Sequence, residues 1–237
     1  MTPSQPADST LSRPIPPFAE FVTLMALTMG MVALSIDNLL PAFGPISREY
    51  GLTDPNEIQL LVFIFMIGFS LMQIVYGPLA DVYGRKRTLM LGLIIYTIGT
   101  VMAFFADSFE HLLIARFVQG LGAAAPRVLT LTIIRDCFNG RDMARVMSLV
   151  MMVFIIVPVF APASGGLILS FGSWHLIFGF MLLLAVIVAI WYKLRMPETL
   201  HPQYRHKLSI RRIFRDFGVT ATTRQTFGYA SAMGLCF

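Results

Sequence analysis

Asp37 is the only acid deep in any of the long apolar runs of this 237-residue sequence, and Pro41 follows four residues later. A later run carries Arg116 and Arg127, eleven residues apart, with Gln119, Gly120 and Ala123 between them. At 100° per residue that spacing returns almost to one helical face, with the two guanidiniums about 16 Å apart. An arginine inside an apolar run costs about 2.5–3.5 kcal/mol on insertion scales, so it needs a partner or a wet cavity. A carboxylate paired with such an arginine supports proton loading and release, because the arginine stabilises the charged form while water or ligand access changes. Counted from the outer ends of their runs, Asp37 and Arg116 lie at similar depth. The expectation is therefore a switchable ion pair between them, with Arg127, Gln119, Gly120, Ala123 and Gln73 lining a cavity. The simpler alternatives are an Asp37 that caps a helix end at the interface, arginines that snorkel, and a Gln73 bonded to a neighbouring helix.

Two further groups carry mechanism by shape and charge. Gly77-Pro78-Leu79-Ala80-Asp81-Val82-Tyr83-Gly84-Arg85-Lys86-Arg87 lies between two apolar runs. Gly84 allows a sharp turn there, and the cationic run suits anionic headgroups. Asp81 is placed to pair with an arginine or to accept from the free N–H groups of a neighbouring helix N-terminus. The second group is Pro158-Val159-Phe160-Ala161-Pro162-Ala163-Ser164-Gly165-Gly166. Its prolines Pro158 and Pro162 each remove an intrahelical bond, and Gly165 and Gly166 permit close helix contact.

Enzyme chemistry finds no support: the sequence has no phosphate loop, no zinc spacing, and no nucleophile with a base nearby in an apolar run. Cys137 and Cys236 are the only cysteines and stand at no ligand spacing, so neither a metal nor a disulfide framework is expected. The formal net charge of +5 lies in short segments between apolar runs rather than on an amphipathic face, which argues against nucleic acid.

The elements that must position these residues are membrane spans. The chain is 56% hydrophobic and only 13% charged, against about 25% charged in soluble domains. A spanning helix needs roughly 20 apolar residues. Such runs predict helices at 18–41, 57–80, 87–106, 109–134, 145–170 and 174–194. Fifteen of the 18 Lys and Arg fall on one side of these spans, Arg48 alone on the other, and Arg116 and Arg127 within a span. That bias predicts cytoplasmic termini for the six-helix unit in a multi-pass protein. Residues 1–17, rich in Pro, Ser and Thr, read as a disordered tail. Residues 195–226 read as a basic linker. Residues 227–237 read as the start of a seventh helix that stops at half the length of a span, so the chain reads as truncated.

The Asp81-to-Lys86 pattern resembles the loop signature of the major facilitator superfamily, although Val82 stands where that family usually has a basic residue. Arg116-Phe117-Val118-Gln119-Gly120 resembles its fourth-span arginine element. Ala161-Pro162-Ala163-Ser164-Gly165-Gly166 resembles the antiporter motif of drug/proton exporters, with Ala161 in place of the first glycine. Together with Ser35-Ile36-Asp37-Asn38-Leu39-Leu40-Pro41 and Pro197-Glu198-Thr199-Leu200, the chain is similar to the Bcr/CflA (bicyclomycin-resistance) branch of drug/proton antiporters. The resemblance implies an all-α transmembrane fold of twelve helices in two halves, each built from two inverted three-helix repeats, around a cavity open to alternate sides. This chain would be the N-terminal six-helix half, and the C-terminal half is a missing partner. It also implies residence in the bacterial inner membrane and export of small, varied molecules driven by the proton gradient, without a cofactor. The 15 methionines and 20 phenylalanines suit an adaptable apolar cavity, although such residues also face lipid. Proton-coupled uptake, or a non-transporting half that needs a partner half, are the competing functions.

Overall fold

The computed structural model describes residues 15–200. Residues 1–14 of the tail expected at 1–17, the basic segment beyond residue 200 and the start of a seventh helix lie outside the described residues. Among those described, every regular element is helical: α1 (Phe18–Asp37), α2 (Phe43–Glu49), α3 (Leu60–Tyr83), α4 (Arg85–Phe104), α5 (Phe109–Cys137), α6 (Gly140–Ser170) and α7 (His175–Arg195). They make six helical segments long and apolar enough to cross a membrane, α1 and α2 together forming the first.

The first span is broken where the sequence places Pro41. A proline has no N–H to donate four residues back, and its ring crowds that carbonyl, which here belongs to Asp37. The α-helix accordingly ends at Asp37, and Leu40–Ala42 form a 3₁₀ turn before α2 resumes the path. The turn expected between the second and third spans shrinks to one residue. Tyr83 ends α3, Arg85 begins α4, and Gly84 between them takes φ 98° and ψ 155°, a region open essentially to glycine. The fifth span starts at Gly140 rather than 145, which puts Arg141 and Arg145 on its first turns. Ser108 starts α5 by accepting from the His111 N–H at 3.1 Å.

α5 is the central helix, packed along α3 and α4 and touching α1 and α6. In lipid no hydrophobic gain drives helices together, so small residues that admit close backbone approach decide which faces meet. Gly122 lies against the Tyr96 backbone of α4 and Gly99 against Gln119, while Gly120 lies against the Phe65 backbone and Gly68 against Phe117. α1 packs mainly on α6, and α7 on α4. The outer face of α6 carries Ile155, Val159 and Phe160, all more than 60% exposed, the pattern expected of a lipid-facing surface.

Candidate functional site

Asp37 stands at the break in the first span, half-buried, and its carboxylate has no hydrogen-bond or ion-pair partner among the described residues. The next residue ties the break to α6. Asn38 is fully buried, its Oδ1 accepts from Ser164 Oγ at 2.9 Å, and its carbonyl rests on Gly165 so closely that a Cβ there would overlap it. Gly166 faces open space, so the close contact expected of the glycine pair belongs to Gly165 alone. α6 continues as helix through Pro158 and Pro162.

Arg116 is fully buried but does not meet Asp37. Its Nε donates to the Leu61 carbonyl at 3.2 Å and its Nη1 to Gln119 Oε1 at 2.5 Å, and its guanidinium lies 4.4 Å from the centre of the Phe65 ring. Gln119 passes the network on, its Nε2 donating to Thr100 Oγ1 at 2.8 Å. Arg116 therefore sits among α3, α4 and α5, whereas the Asp37 break leans on α6. Equal depth in two spans is not adjacency, and the expected ion pair is corrected on that ground. Gln119, Gly120 and Ala123 are likewise sealed between helices rather than lining a cavity, because α5 is the helix around which the others pack. Gln73, by contrast, is exposed on α3.

Arg127 is half-buried where α5 meets α1 and α6. Its Nη1 lies 3.8 Å from Met29 Sδ, and its guanidinium lies 4.6 Å from the Phe154 ring centre. It and Arg116 thus share a face of α5 but engage different neighbours.

At the end of the bundle that carries the basic loops, Arg85 joins two helices and their turns. Its Nη1 meets Asp81 Oδ1 at 2.5 Å and its Nε meets Asp136 Oδ2 at 3.0 Å. Of the two roles open to Asp81, arginine pairing is the one observed. The free N–H groups of α4 are taken by Glu198, whose Oε1 accepts from the backbone N–H of Arg85 at 2.8 Å and, more weakly, of Lys86 at 3.5 Å. Lys86 Nζ in turn donates to the Lys193 and Met196 carbonyls at the end of α7. Gly77 has open space around its Cα. Met196, Thr199 and Leu200 are buried, so the segment after α7 packs on the bundle through residue 200 where a linker was expected from 195.

The match that decides the family spans most of the chain: residues 25–237 fit the family model of the Major Facilitator Superfamily. The chain belongs to the Major Facilitator Superfamily. It is 31% identical over 216 residues to the uncharacterized MFS-type transporter YdgK of Bacillus subtilis, covering 89% of this chain and 54% of that protein. It is 30% identical over 218 residues to the bicyclomycin resistance protein homolog of Haemophilus influenzae, covering 90% and 54%. The POT family transporter PepTSo shares the fold, with a TM-score of 0.68, 15% identity, and coverage of 88% of this chain and 43% of that one. This superfamily chain spans about half the length of the curated relatives it matches.

For this superfamily member, sequence reasoning missed two residues of the basic end as site residues, Asp136 and Glu198. A signal for the second was present. The start of α4, Gly84-Arg85-Lys86-Arg87, offers no Ser, Thr, Asp or Asn as its own cap, so an acceptor for its free N–H groups had to come from elsewhere in the chain. Only the fold shows that it comes from beyond the sixth span.

Proposed function

We propose that this chain is the six-helix half of a secondary transporter that exports small molecules in exchange for protons, with both ends of the six-helix unit at the cytoplasmic face of a bacterial inner membrane. The observation that carries the reading is the lone carboxylate of Asp37 at a helix break, next to a residue docked on the Ser164-Gly165 element of α6. An intramembrane acid without a fixed counter-ion is suited to taking up and giving back a proton as access changes. Its seat beside α6 offers a route by which that event alters the packing of one helix on another. The names of relatives support the direction of transport: they include the bicyclomycin resistance protein homolog and a chloramphenicol resistance protein, CraA, of Acinetobacter baumannii. Because alternating access needs one bundle rocking against another, the working unit includes a second six-helix half. The positive-inside bias of the loops supports the orientation. The test is proton-coupled drug efflux from inverted vesicles carrying a twelve-helix form. Asp37→Asn should abolish drug-induced proton release while the protein still inserts and binds drug; undiminished coupling in that variant would overturn the reading.

A further inference from the structure

Arg127 has contacts but no counter-ion. The helices packed around it, α1, α5 and α6, carry the acids Glu20, Asp37, Glu110, Asp136 and Asp142. Glu20 is held by Arg195, at 2.5 Å from its Nε, and by Trp191 at 3.1 Å. Asp136 is held by Arg85. Asp37 lies eight residues beyond Met29, about 12 Å along α1, and Glu110 and Asp142 lie in the first turns of their helices, toward the bundle ends. Among the described residues, no acid forms an ion pair with Arg127.

Its position is also fixed, and its side chain is half-buried rather than sealed. Arg127 is ten residues from the end of α5, about 15 Å along the axis, further than a snorkelling side chain retrieves. The guanidinium stacks over the Phe154 ring and Nη1 donates to the Met29 sulfur, contacts that hold the group and leave it without a carboxylate. Beside it α1 and α6 close together, Val157 standing in van der Waals contact with the position a Cβ on Gly30 would take. A planar cation stacked on an aromatic ring, with no carboxylate partner, is preorganised for a carboxylate or phosphate, which it binds with two parallel hydrogen bonds.

We propose that Arg127 is the binding site for the anionic group of a small organic anion, with the half-buried Phe154 receiving its apolar body. The inference deepens the transport reading, since it names a substrate class for the same bundle, but its test does not depend on transport or on Asp37. The purified chain in phosphatidylcholine nanodiscs is titrated with 4-fluorobenzoate and with its neutral counterpart 4-fluorobenzamide, and binding is read by fluorine NMR line broadening. Wild type should bind the benzoate at least tenfold more tightly than the benzamide. Arg127→Gln should lose that preference, and Arg127→Lys, which keeps the charge but not the fork, should retain part of it. Asp37→Asn should leave it unchanged, which separates failure of this site from failure of proton coupling. Equal binding of acid and amide by wild type, or an undiminished preference in Arg127→Gln with the same unfolding temperature as wild type, overturns the proposal. So does displacement of the benzoate on changing the discs to phosphatidylglycerol, which would make this a lipid-headgroup site.

Discussion

Glu198 fills the space beside Gly84 that any side chain at that glycine would need, and from there its carboxylate reaches the first N–H groups of α4. One turn thus joins the second span, the third span and the segment that follows the sixth.

Gly84→Ala should be destabilising for two reasons that act together. Alanine at φ 98° and ψ 155° costs about 1–3 kcal/mol, and its Cβ displaces the Glu198 carboxylate. Thermal unfolding in detergent should show a clear drop for Gly84→Ala and little change for Gly77→Ala, where a Cβ meets nothing within 4 Å. Equal effects at the two glycines would remove the argument.

Glu198→Ala takes away the acceptor for the Arg85 N–H and should cost about 0.5–2 kcal/mol, as loss of a helix cap does. Glu198→Gln keeps a carbonyl oxygen but not the charge that favours a helix N-terminus, and should fall between. Hydrogen exchange at the first turn of α4 is the direct measurement. Unchanged protection there in Glu198→Ala would mean the cap is idle.

Gly165→Ala forces a methyl group into the carbonyl of Asn38, a backbone atom that cannot swing aside. Overpacking of this kind costs about 1–3 kcal/mol, and it should loosen α1 from α6. Gly166→Ala enters open space and should be neutral or slightly stabilising through helix propensity. A cysteine crosslink between α1 and α6, formed readily in wild type, should slow in the first variant only.

Tyr50, outside the spans, donates its hydroxyl to the Ala106 carbonyl at 2.8 Å. Burial, then the negative charges of Glu49 and Asp107, push its pKa up from 10.0 to about 12. The fold therefore favours the protonated phenol, and its contribution is fully present below the unfolded value and lost as pH rises from 10 to 12. The stability difference between wild type and Tyr50→Phe should stay constant from neutral pH to 10 and shrink above it. A difference that begins to change near neutral pH would contradict this assignment.

Much of the fold was legible in the chain because lipid imposes a simple rule. Each crossing must be a helix of about 20 apolar residues with its backbone bonded internally, so run length alone located the six spans. The break after Asp37 was likewise written in the sequence as Pro41, since the missing N–H and the ring act on the carbonyl four residues back. Gly84 as a turn and Asp81 as an arginine partner were also local matters, decided within a few residues.

What the sequence could not supply was which faces meet. A helical period states that Arg116 and Arg127 share a face of α5, yet the first is sealed by Phe65 and Leu61 while the second reaches Met29 and Phe154. Depth put Asp37 level with Arg116, but lateral position depends on where glycines let backbones approach, and Gly120 and Gly165 draw α5 and the Asp37 break toward different neighbours. Glu198 is separated from the N–H it caps by 113 residues. Length and charge pattern are properties of one segment, and so the sequence alone determined the spans; pairing is a property of two surfaces, and only the packed bundle decided it.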